Sequence, residues 1–170
     1  HSVNLFNITT NVEWPGKQQS EKPAFNFTTT DSQFAETFGI TLLKGEWLDE
    51  LGTNKIVLNE EAARVMGLSN PVGTTIRMSL RNMEEYRVVG VVKDFHTLSL
   101  RSRIHPTIFL ASPYPTNNFY IRAASGQEQE AIQRINDILP KLAQTDASFI
   151  DVHPVPLDEL YDRLNYSEQA

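Results

Sequence analysis

Ala24-Phe-Asn-Phe-Thr-Thr-Thr-Asp-Ser-Gln-Phe-Ala-Glu-Thr-Phe-Gly-Ile-Thr-Leu-Leu43 decides the fold, and the rest of the chain is placed around it. Ala24–Thr28 is rich in aromatic and β-branched residues, the composition of a strand. Thr30-Asp31-Ser32 then offers side-chain oxygens that can cap a helix. Phe34, Ala35 and Phe38 recur at helical spacing, and Gly39 stands where a left-handed residue ends a short helix. Ile40–Leu43 returns as a strand. The same order recurs later: Asn118–Arg122 as a strand, a helix opened by the capping box Ser125-Gly-Gln-Glu128, and Phe149-Ile-Asp-Val152 as a closing strand. That helix carries Ala131, Ile135, Ile138, Leu139 and Leu142 on one stripe, with Pro140 expected to kink or shorten its last turn.

Between the two units, 53–111 has a different texture. Lys55-Ile-Val-Leu58 is a strand, Asn59 caps a short helix whose first turn holds Glu60 and Glu61, and Gly67 ends it. Thr74–Met78 and Tyr86-Arg-Val-Val-Gly-Val-Val92 follow as strands joined by a hairpin near Arg81-Asn82, and Pro106–Leu110 is a further strand. Two split strand–helix–strand units interrupted in this way imply an α+β fold: a ferredoxin-like, porter-like lobe of residues 1–52 plus 112–170, and an inserted mostly-β lobe of residues 53–111 with one short helix. Before Ala24, the turn-rich stretch from Glu13 to Lys22 is expected to be a hairpin loop. At the other end, Leu157, Leu160, Tyr161 and Leu164 mark a terminal amphipathic helix.

A length of 170 residues with 40% apolar content suits a compact unit and excludes a long multidomain enzyme. No uncharged apolar run approaches the roughly 20 residues of a membrane-spanning helix, and no signal peptide opens the chain, so it is expected to be soluble as it stands. Lys and Arg number 15 against 21 Asp and Glu, with no basic stripe, which argues against nucleic acid as a ligand. Zero cysteines remove disulfides, thiol nucleophiles and Cys-ligated metals.

Chemistry-bearing patterns are sparse. Asp94, His96 and His105 follow the Tyr86–Val92 strand and give the candidate set for a metal-dependent hydrolase. Their spacing lacks any paired-histidine helix motif, and a loop tied down by polar side chains explains them better. Glu60/Glu61, Glu84/Glu85 and Asp158/Glu159 are accounted for by helix first turns or a solvated hairpin edge. Phosphate-cradling glycines and nucleophile elbows are absent, so no catalytic residue, cofactor or metal is assigned and no nucleotide binding is expected. Trp14 and Trp47 suit packing at the rim of a small core better than a binding platform. Three sequons, at Asn7, Asn26 and Asn165, are ascribed to chance. The Phe95–His105 loop carries Leu98, Leu100 and Ile104 among Arg101 and Arg103, a mixture that packs locally or meets a partner.

Lys55-Ile-Val-Leu-Asn-Glu-Glu-Ala-Ala63, Gly67-Leu-Ser-Asn-Pro-Val-Gly73, Tyr86-Arg-Val-Val-Gly-Val-Val-Lys-Asp-Phe-His96 and the Pro106–Phe109 segment stand in an order that resembles the periplasmic core domain of MacB-like, FtsX-type ABC transporter permeases, above all those of Bacteroidetes. Phe34–Ile40 with Leu43-Lys-Gly45, and the Leu157–Gln169 stretch, extend the resemblance over most of the chain. It implies a non-catalytic domain between two membrane helices on the periplasmic side of the inner membrane. Such a domain takes part in substrate or partner recognition and moves with helices driven by a separate cytoplasmic ATPase. The partners implied are that ATPase, a periplasmic adaptor, and peptide or lipoprotein cargo, with membrane contact through flanking helices; the two chain ends are then expected to lie close together. A structural spacer of the envelope is the other non-enzymatic reading.

Overall fold

The computed structural model describes residues 6–49, 53–79, 82–95, 103–111, 119–145 and 154–156. The expected closing strand Phe149–Val152, the terminal helix from Leu157 and the placement of the chain ends lie outside the described residues. The chain divides into two compact units, His1–Tyr120 and Ile121–Ala170.

The first unit is built on one sheet. Its strands are β1 (Asn7–Thr9), β2 (Val12–Glu13), β3 (Phe25–Thr30), β4 (Leu42–Gly45), β5 (Lys55–Asn59), β6 (Thr75–Ser79), β7 (Met83–Val92) and β8 (Thr107–Ala111), with helices α1 (Phe34–Phe38) between β3 and β4 and α2 (Glu60–Val65) after β5. The strand order is β1-β3-β8-β5-β7-β6-β2, and β4 pairs with β7. β1 and β2 stand at opposite ends of that order, yet only Thr10 and Asn11 separate them in the chain. Two residues span at most about 10 Å, so the sheet rolls up until its ends meet, with β1 and β2 acting as one strand that joins β3 to β6. Rolling removes the two exposed edges such a sheet would otherwise carry.

Both faces of the central strands are covered, which is why Ile56-Val-Leu58 and Val88–Val92 are apolar runs rather than alternating ones. Ile56, Leu58, Ile108 and Leu110 point into the roll with Phe25 and Ile76. Ala62 and Met66 of α2 join that core, and Trp14 meets Phe25 edge-on at 5.8 Å. Val57, Val89, Val92 and Phe109 face outward under Phe34, Leu48 and Trp47. Phe34 stands 4.4 Å from Phe38 and 5.9 Å from Tyr120, centroid to centroid.

The α+β class and the local elements of 53–111 are as the sequence leads one to expect, but the sheet runs across the expected lobe boundary at residue 52. β3 pairs in parallel with β8, and β4 antiparallel with β7, so strands on both sides of that boundary share one ladder. The reason is geometric: β8 and β7 have unpaired edges that β3 and β4 satisfy. β4 lies at 42–45 rather than 40–43. Phe119–Arg122, expected as a strand, is irregular; Tyr120 is anchored on the α1 rings while Phe119 and Ile121 remain 70% and 66% exposed.

In the second unit α3 spans Glu128–Thr145. Of the expected capping box, the Glu128 carboxylate accepts from the Gly126 N–H at 3.1 Å, with Gly126 itself left-handed. The helix continues through Pro140, which costs one backbone hydrogen bond without ending it. Among the described residues, no helix is long and apolar enough to cross a membrane.

Candidate functional site

The segment singled out in the sequence leaves the sheet at the end of β7 and returns at the start of β8. Of its candidate contact residues, Arg103 is exposed and Ile104 half-buried, whereas Leu98, Leu100 and Arg101 lie outside the described residues, as does His96. What the structure brings together is a polar knot where β7 ends and β8 begins, made by residues that sequence spacing keeps far apart.

Asn59 is its centre. It caps α2 with an extended backbone, and its Oδ1 accepts from the Ala62 N–H at 2.9 Å, the arrangement expected of an N-cap. The same oxygen accepts from the Thr107 N–H at 2.8 Å, and Asn59 Nδ2 donates to the His105 carbonyl at 3.0 Å. The Thr107 hydroxyl also donates to that carbonyl, at 2.9 Å. Both Asn59 and Thr107 are fully buried, so these bonds satisfy groups that would be costly to leave unpaired.

Asp94 makes the second tie. Its Oδ1 accepts from the Glu61 N–H at 2.9 Å, and its own N–H donates to Glu60 Oε2 at 3.0 Å. Burial, reinforced by the neighbouring Glu60 and Glu61 carboxylates, holds the Asp94 carboxyl above the usual carboxylate range. Glu61 is shifted the other way, chiefly by its hydrogen bond from Arg64, with Arg103 adding attraction. Phe95 then stacks on Phe109 with centroids 5.9 Å apart.

Asp94 therefore acts as a tie to α2, and His105 contributes its backbone carbonyl. Among the described residues no group of three or more His, Asp or Glu side chains is placed to hold a metal. Trp14 packs in the core with Lys17 Nζ 5.0 Å over its ring, and Trp47 donates from Nε1 to the Asp31 carbonyl at 3.2 Å while stacking on Phe34. Glu84 and Glu85 lie on β7 opposite Met78 and Arg77. Asn26, one of the sequon residues, is buried in β3. Sequence reasoning saw the Asn59 cap but missed its link to His105 and Thr107, because nothing local in the sequence marks hydrogen bonds that join residues 46 and 48 positions apart.

A family model for the MacB-like periplasmic core domain matches residues 5–138. Three solved structures are similar. The periplasmic region of MacB from Actinobacillus actinomycetemcomitans superposes with a TM-score of 0.53 at 18% identity, covering 81% of this chain and 64% of that one. A domain described as part of a permease from Porphyromonas gingivalis gives 0.55 at 18% identity, over 95% of this chain and 83% of that one. The extracellular domain of the ABC-type transporter YknZ from Gram-positive bacteria gives 0.51 at 11% identity, over 78% and 73%. The chain thus spans less than two thirds of the MacB region. Comparison with curated proteins returned no match.

Proposed function

The chain belongs to the MacB-like periplasmic core domain family, and from that premise we propose that it is a non-catalytic extracytoplasmic module of an FtsX-type ABC transporter permease, taking part in substrate or partner recognition. The observation that carries this reading is the family match, which runs from β1 into α3. Membrane helices outside this chain would connect the module to the bilayer, and a cytoplasmic ATPase would drive their motion. The net charge of −6 and the absence of phosphate-cradling motifs fit a domain that spends no nucleotide itself.

The contact surface in this reading is the Phe95–His105 segment, with Leu98, Leu100, Arg101, Arg103 and Ile104 as the residues offered to a periplasmic adaptor or to peptide or lipoprotein cargo. Its two flanks are tied to α2 at Asp94 and at His105, and its sequence sets arginines among aliphatic residues, the composition of an interface anchor. The test is made in the full-length permease. Replacing Leu98, Leu100, Arg101, Arg103 and Ile104 with Ser should abolish partner capture and transport while the isolated domain keeps its folded circular-dichroism spectrum. Retained capture and transport would remove this segment from the account.

A further inference from the structure

Resting on the reading of Phe95–His105 as a contact segment, we infer that Asp94 and Asn59 form a coupled clamp. They are positioning residues that fasten both ends of the segment to the first turn of α2, so that a displacement of the segment passes into the helix. The outgoing end is held where Asp94 accepts from the Glu61 N–H and donates to Glu60. The returning end is held where Asn59 accepts from the Thr107 N–H and donates to the His105 carbonyl. The receiving residues, Asn59, Glu60 and Glu61, are consecutive, and neither tie can shift without moving the turn that the other grips.

The motion has somewhere to go. Ala62, one residue on, donates its N–H to Asn59 and packs its side chain in the core of the roll together with Met66. At the outgoing end Phe95 rests on Phe109, which belongs to the opposite face of β8. A packed core transmits such shifts because it has little free volume in which to absorb them. The clamp therefore joins the contact segment to both apolar layers through four hydrogen bonds among six residues rather than through apolar packing alone.

Amide hydrogen exchange on the full 170-residue chain tests the coupling without any partner, so its outcome stands apart from whether the segment binds one. In Asp94→Ala the Glu61 amide loses its acceptor directly. The clamp predicts that Ala62 and Thr107, whose N–H groups bond to Asn59 and not to Asp94, also exchange about tenfold faster or more. Val88 of β7, whose N–H bonds to the Thr74 carbonyl beside the adjacent strand β6 and takes no part in either tie, should not change. Asp94→Asn, whose carboxamide oxygen still accepts, should restore native exchange at all three. Acceleration confined to Glu61 would show two independent ties and overturn the inference. So would an equal rise at Val88, which is general destabilisation, or a failure of Asp94→Asn to restore protection.

Discussion

Tyr86 shows how one side chain records its surroundings. It points into the roll at 8% exposure, and its hydroxyl donates to Glu84 Oε2 at 3.0 Å. Burial first, and that carboxylate second, push the phenol up to about 12. In the unfolded chain the same group ionises near its ordinary value of about 10. The folded state therefore keeps a proton that the unfolded state releases, and this contribution to stability, complete below about pH 10, is lost as pH rises toward 12. Tyr86→Phe should lose less stability than the native domain between about pH 8 and pH 11, as read from urea midpoints; parallel losses in the two proteins would count against this burial. Asp94 and Glu61 are shifted in opposite directions, the first upward by burial and the second downward by its hydrogen bond from Arg64, although the Asp94 carboxylate bonds to the Glu61 backbone N–H.

Among the described elements, β4 is attached where side chains are missing. Gly45 pairs with Gly90 of β7; a Cβ on Gly90 would run into the Glu46 carbonyl, and one on Gly45, already left-handed, into the Val89 carbonyl. Gly90→Ala should therefore loosen β4 at a cost of about 1–3 kcal/mol, the range for overpacking, seen as a lower thermal midpoint and faster exchange at Glu46, whose N–H bonds to the Val89 carbonyl. An unchanged midpoint would mean that the strands stand further apart. These elements also show what was legible beforehand. β5, α2, β6 and β7 were readable because their determinants are local: the Asn59 cap, a hairpin between β6 and β7, and apolar runs bounded by turns. Their arrangement was not, because β3 pairs with β8 across some eighty residues and nothing in Phe25–Thr30 specifies that partner. The same holds for the candidate site. Asp94 and His105 drew attention as titratable residues, whereas their structural part is a carboxylate receiving a helix N–H and a backbone carbonyl receiving an amide. Phe119–Arg122 has strand composition, and composition supplies no ladder partner.

At the largest scale, the first unit is a sheet rolled on itself around an apolar core, with α1 and the Trp47 region over its outer face and polar ties to α2 at the end of β7 and the start of β8. The proposed function makes it a module that is carried by other parts of a larger protein and makes contacts there. The central claim is that it does so outside the cytoplasm, as part of a membrane permease. The chain has no cysteine, which makes that claim directly measurable. A single Ile8→Cys, at a side chain 71% exposed, placed in the full-length permease with any cysteines elsewhere removed, should react in intact cells with a maleimide that crosses the outer but not the inner membrane. Labelling that occurs only after the inner membrane is broken would place the domain in the cytoplasm and contradict the account.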